Sequence, residues 1–162
     1  TIRSCVRQIL FVRPGTLVVV DRLAAPEGAS LPEVRWLLQV PARPQVDGGT
    51  VTARSAASYL RCRSLVPGAP APTVEDSYRT PAGPTSSGGN PASIDASRVV
   101  FAYEGAPRLT LVHVIEVGDG KPPPPAQAIA VEAAPDAGRI VVQGEAFSFS
   151  ASPPYEVARE KE

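Results

Sequence analysis

The sequence predicts an all-β protein, an antiparallel β-sandwich of about ten strands with little or no helix. Three observations carry this expectation. Short runs rich in Val, Leu, Ile and Phe are punctuated throughout by Pro and Gly, of which the chain has 19 and 13, and such punctuation ends strands and builds turns. Within several runs apolar and polar residues alternate, the period of a pleated strand. No segment places apolar residues at helical spacing over the length a helix needs.

The elements follow in order. "SCVRQILFV" and "TLVVVDRL" flank "RPG" and read as a hairpin with Pro14 and Gly15 at the turn. In "EVRWLLQVP", Val34, Trp36, Leu38 and Val40 share one face, with Arg35 and Gln39 on the other. "GGTVTAR" is a short strand after the turn "VDGG". In "SYLRCRSLV", Leu60, Cys62 and Val66 face one way and Tyr59, Arg61 and Arg63 the other. Residues 67–96, rich in Pro, Gly, Ser and Ala, read as a long loop, with "TVEDSYR" an edge strand inside it. "RVVFAYE" and "RLTLVHVIEV" follow, then a second loop at 118–126 stiffened by four prolines. "QAIAVEA" precedes the turn "PDAG". In "RIVVQGEAFSFS", Ile140 and Val142 are out of phase with Phe147 and Phe149, so Gly144 marks a tight hairpin or a bulge. The tail "PPYEVAREKE" is too polar for core, Tyr155 and Val157 excepted.

The chain's 162 residues suit one domain over 1–162, and 43% hydrophobic with 20% charged residues supports a packed core. Sixteen basic residues balance sixteen acidic ones, so no electrostatic warrant exists for nucleic acid. No apolar run approaches a membrane span. The chain opens on "TIRSCVRQILFV", contains no methionine, and enters a strand pattern at once. The expectation is a domain cut from a longer protein, or a processed product.

Candidate chemistry is sparse. His113 is the only histidine. It shares a strand face with Leu109, Leu111, Ile115 and Val117, while Thr110, Val112, Val114 and Glu116 take the other. Both faces are apolar, so the strand is expected to be central and His113 to be a buried structural residue. Catalysis would need an orienting partner and a substrate pocket, so no catalytic residue is assigned. There is no GxSxG. "GDG" at 118–120 is followed by prolines where a phosphate loop needs a helix. Cys5 and Cys62 lack CxxC spacing and a second histidine, so neither metal nor cofactor is expected. Whether they bond to each other stays open at this level. Tyr59, Arg61 and Arg63 are the candidate binding set. Arginines at that spacing grip anionic carboxylates or sulfates, although a solvated sheet face is the plainer reading. Trp36, in phase with Val34, Leu38 and Val40, reads as core rather than as a sugar platform.

Taken together, "RQILFVRPGTLVVVDRL", "RWLLQVPARPQVDGG" and "LTLVHVIEVGDG" resemble the C-terminal region of heparinase II/III-like proteins, which are polysaccharide lyases or lyase-like. The shared pattern is a strand, a Pro-Gly turn, a Val-rich strand ending in Asp21, a Trp or His strand and a late "LHV"-type strand. It spans about Arg7 to Phe149. The resemblance implies a missing N-terminal α/α toroid that carries uronate β-elimination, and a secreted or periplasmic parent. The family's catalytic Tyr and His have no counterpart in this sequence.

The expectation is therefore a non-catalytic sandwich, partnered by that missing domain and bordering acidic polysaccharide. The rival is a free-standing carbohydrate-binding or adhesion module, disfavoured by an aromatic content of only 6%. Strands 16–23 and 108–117 carry apolar residues on both faces, and a two-layer sandwich covers only one. Either the chain self-associates through the bare face, or a third layer makes it a multilayer supersandwich.

Overall fold

A computed structural model describes the chain except at 41–42, 66–68, 76–96, 122–128, 134–136, 143 and 161–162. Among the described residues there are thirteen strands: β1 (Ser4–Val12), β2 (Thr16–Ala24), β3 (Val34–Val40), β4 (Gln45–Asp47), β5 (Thr50–Arg54), β6 (Ser58–Ser64), β7 (Thr73–Glu75), β8 (Ser97–Tyr103), β9 (Arg108–Asp119), β10 (Ile129–Ala133), β11 (Ala137–Val142), β12 (Glu145–Ser150) and β13 (Val157–Arg159). All pairings are antiparallel. Among the described residues no helix is long and apolar enough to cross a membrane.

The strands form three sheets, ordered β1-β2-β9-β6-β5-β4, β3-β8-β7 and β10-β11-β12-β13. The six-stranded sheet is the middle layer. One core lies between it and the three-stranded sheet, where Val19, Leu111, Ile115, Val51 and Cys62 meet Trp36, Val40, Val99 and Phe101. A second core lies on its other face, where Val18, Val20, Val112 and Val114 meet Ile140, Val142, Phe147 and Phe149. Alternation explains the division. Odd residues of β2 and β9 point to the first core and even residues to the second. Fully burying one such side chain stabilises by about 1.5–3 kcal/mol, and β2 and β9 do so on both faces. Of the two alternatives for 16–23 and 108–117, the structure shows the third layer: the four-stranded sheet covers their second face within one chain. Among the described residues the count rises from ten strands to thirteen because "VDGG" closes a hairpin between β4 and β5, because the turn at Gly144 splits "RIVVQGEAFSFS" into β11 and β12, and because the tail adds β13 as an edge.

Turn chemistry sets the register. The β1–β2 hairpin closes with Val12 opposite Thr16. Gly15 there is obligatory: its carbonyl accepts from the Val117 N–H at 2.8 Å, and a Cβ would run into the Val117 carbonyl. Gly144, at φ 81°, allows the tight β11–β12 turn that pairs Val142 with Glu145. A two-residue connection reverses the phase, so Ile140, Val142, Phe147 and Phe149 reach one core despite their sequence offset.

Other expectations are refined. The second loop does not begin at 118, because Gly118 and Asp119 continue β9 against Tyr59 and Ser58; residues 122–126 lie outside the described set. Of "TVEDSYR", Thr73–Glu75 is indeed the edge strand β7, while most of the loop at 67–96 lies outside the described set. In the tail, Val157 packs on the second core, but Tyr155 is exposed. Cys5 and Cys62 are both free. They sit on β1 and β6, three strand spacings apart, with Cys5 level with Leu109 of β9 and Cys62 opposite Ile115, six residues along, a separation of more than about 20 Å that a disulfide cannot span.

Candidate functional site

His113 sits near the middle of β9, opposite Val19 of β2 and Ser64 of β6. Its side chain enters the first core and is fully buried. Trp36 of β3 lies flat on the imidazole, with ring centroids 3.8 Å apart and planes at 11°. Phe101 meets the imidazole edge-on at 5.1 Å. Tyr103 of β8 completes the cage. Its hydroxyl donates to Ser64 Oγ at 2.8 Å and lies 2.8 Å from His113 Nε2. With the phenol proton so committed, the hydrogen-bond pattern places the imidazole proton on Nε2, donating to the phenol oxygen. Nδ1 is then a bare lone pair, and it is buried without a partner.

A carboxylate anchors the same region. Asp21 of β2 is buried. It accepts from Arg7 Nε at 2.6 Å and Arg7 Nη2 at 2.9 Å, a bidentate fork, and from Trp36 Nε1 at 3.0 Å. The fork follows from hairpin register, since Arg7 is Asp21's cross-strand partner. Arg7 itself is half exposed. The Asp21 hydrogen bond raises the Arg7 pKa, against the lowering effect of burial. Asp21 thus holds the indole that holds the imidazole, and the chain of contacts joins both sheets around the first core.

The electrostatics make this a structural network. Burial pushes the His113 pKa down to about 4 from 6.5; Asp21 opposes that shift and Arg7 adds to it. The ring is therefore neutral at pH 7. Burial, with smaller effects from Cys62 and Asp21, lifts the Tyr103 hydroxyl to about 12, against the lowering effect of its bond to Ser64. Burial also lifts the Cys62 thiol to about 12. None of these three groups, His113, Tyr103 and Cys62, titrates near neutrality, and a sealed imidazole cannot touch a substrate. Among the described residues, no cluster of three or more His, Cys, Asp or Glu could hold a metal ion.

The candidate binding set fares differently from expectation. Tyr59, Arg61 and Arg63 do share one face of β6, but that face is not open. Arg61 is buried and pairs with the buried Glu116, its cross-strand partner, at 3.4 Å. A guanidinium out of water needs a carboxylate, and Glu116 supplies it. The Tyr59 ring fills the space a side chain at Gly118 would take, shielding that glycine. Arg63 is half-buried. The three do not form an exposed grip. The sequence reading also missed Arg7, Asp21 and Tyr103 as the partners of Trp36 and His113. The signal was available for Arg7 and Asp21: a turn centred on Pro14 pairs them, and an isolated opposite-charge pair inside an apolar hairpin reads as a buried bridge.

No family model matches the chain, and no curated protein matches it. Among solved structures it is similar to a mutant of the heparan sulfate lyase HepC from Pedobacter heparinus, with a TM-score of 0.51 and 16% identity. The likeness covers 95% of this chain and 23% of that one. It is a likeness of fold, and this chain spans under a quarter of the lyase's length.

Proposed function

We propose that this chain is a non-catalytic β-sandwich domain of a larger, secreted or periplasmic protein of polysaccharide-lyase type. Its role is to buttress a helical toroid that carries the chemistry and to border the groove where an acidic polysaccharide lies. The observation that carries the reading is the lopsided coverage: nearly all of this chain matches a small part of a lyase several times longer. The sequence resemblance, to the sandwich that follows the toroid in such proteins, supports the same reading. The fate of His113 agrees with it, because the only imidazole in the chain is stacked, bonded and sealed inside a core.

Two measurements test this reading. The full reading frame should contain an upstream helical region of toroid size; its absence would favour the free-standing module. The isolated chain, incubated with heparan sulfate or alginate, should give no rise in the absorbance of unsaturated uronate products. Product formation that His113→Ala abolishes, with the fold intact, would overturn the proposal.

A further inference from the structure

An open sheet displays the backbone of its outermost strands, and an unpaired row of N–H and C=O groups invites a further strand. Among the described residues the outermost strands are β1 and β4, β3 and β7, and β10 and β13. Of these, β4, β7 and β13 are only three residues long, a common way to blunt an edge. β1 is the longest, with nine. It pairs with β2 without interruption, Ser4 opposite Ala24 at one end and Val12 opposite Thr16 at the other, so no bulge turns it aside. It contains no proline and no lysine, and its one charge, Arg7, is already held by Asp21. Among the described residues no backbone hydrogen bond reaches Ser4–Val12 from the side away from β2.

β1 also has an uncovered face. Gln8, Leu10 and Val12 turn toward the four-stranded sheet, where Leu10 and Val12 join the second core and Gln8 donates to the Glu156 carbonyl at 3.2 Å. The opposite face carries Cys5, Arg7, Ile9 and Phe11, all exposed, and Ile9 and Phe11 are each more than half so. The cause is a step between layers. The three-stranded sheet ends at β3, and β3 stands over β2 and β9, where Trp36 meets Asp21 and His113. β1 lies beyond that edge, with two large apolar side chains in water.

We propose that β1 pairs with β1 of a second copy, antiparallel about a two-fold axis at Gln8, joining two six-stranded middle sheets into one. The strand is complementary to itself in that register. Ser4 falls opposite the partner's Val12, Cys5 opposite the partner's Phe11, Val6 opposite the partner's Leu10 and Arg7 opposite the partner's Ile9. Apolar meets apolar toward the second core. On the step, the Phe11 ring lies against a thiol and Ile9 against the aliphatic stem of an arginine. No two charges are opposed. A seam about 30 Å long and two layers, about 20 Å, deep covers about 600 Å² on each copy, enough for a specific interface at the small end of the range. The two-fold arrangement closes after two copies. It uses the edge alone and leaves the covered faces of β2 and β9 as they are.

Sedimentation of the 162-residue chain at rising concentration should show a monomer–dimer equilibrium. Ile9→Lys, at an exposed position, sets like charges opposite each other twice across the seam and should weaken dimerisation about tenfold. Leu37→Lys adds the same charge at an exposed position of β3 and should leave dimerisation unchanged. Thiol trapping reads the register. Cross-strand partners stand about 4.5–5.5 Å apart at Cα, within disulfide range. Phe11→Cys should therefore give, on mild oxidation, a linked dimer that reductant splits, because the new thiol faces the partner's Cys5. Phe11→Cys combined with Cys5→Ser should give none, since the two new thiols would stand six residues apart along the seam, about 20 Å. A wild-type chain that stays monomeric throughout leaves the edge to a foreign strand and overturns the proposal. So does a dimer that Ile9→Lys leaves intact, a Phe11→Cys chain that does not cross-link, or equal cross-linking without Cys5. The assembly needs nothing upstream of the chain, so this inference and the scaffold reading fail separately.

Discussion

Replacing His113 with Phe should remove a specific part of the protein's sensitivity to acid. The folded ring titrates at about 4, against 6.5 for an ordinary histidine. Between those values the unfolded chain binds a proton that the folded chain refuses. Stability therefore rises with pH across this window: the contribution is fully present above pH 6.5 and is lost as pH falls through 4. A gap of two to three units at about 1.4 kcal/mol each makes it about 3 kcal/mol. His113→Phe keeps a ring against Trp36 but has no site for a proton, and Tyr103 keeps its bond to Ser64. Its cost at pH 7 should be about 1 kcal/mol, that of one lost hydrogen bond. Urea unfolding is followed through the fluorescence of Trp36, the only tryptophan, in both proteins at intervals from pH 7 to pH 4. Other titrating groups cancel in the comparison. The wild type should lose about 3 kcal/mol more than the variant over the range. Parallel curves would refute a buried neutral imidazole and, with it, the sealed cage.

Thiol reactivity should separate the cysteines. Cys5 is exposed, whereas Cys62 is buried with its thiol pushed up to about 12, so an aromatic disulfide reagent should titrate one thiol per native chain and two in denaturant; two fast native thiols would contradict the β6 placement. Phe149→Ala, at a fully buried site in the second core, should cost about 3–5 kcal/mol. Ile9→Ala, on the exposed face of β1 at 58% exposure, should stay within about 0.5 kcal/mol. Equal losses by calorimetry would mean that the layers are assigned wrongly.

Much of the fold was legible because alternation and turn chemistry are local. The phase of Trp36 with Val34, Leu38 and Val40 put it in a core, where it lies, and the doubly apolar pattern around His113 marked a covered central strand. The character of the polar residues was not legible in the same way. Arg61 on an alternating strand looks identical whether its face meets water or Glu116, since burial depends on strands distant in sequence. Tyr103 came from a strand read only as "RVVFAYE", and nothing local says that it reaches His113 across two sheets.

The middle sheet also governs how the chain must fold. β1 and β2 form a local hairpin, but β2 then pairs with β9, setting Thr16 against Glu116 a hundred residues later. Closing so long a loop is paid in entropy before any contact returns it, which places this protein among slow folders. Until β9 arrives, β2 has both its apolar faces and one edge unsatisfied, a template for wrong partners. Residues Thr16–Ala24 are thus the segment through which an incompletely made or thermally opened chain should aggregate, although in the finished molecule six of the nine are buried.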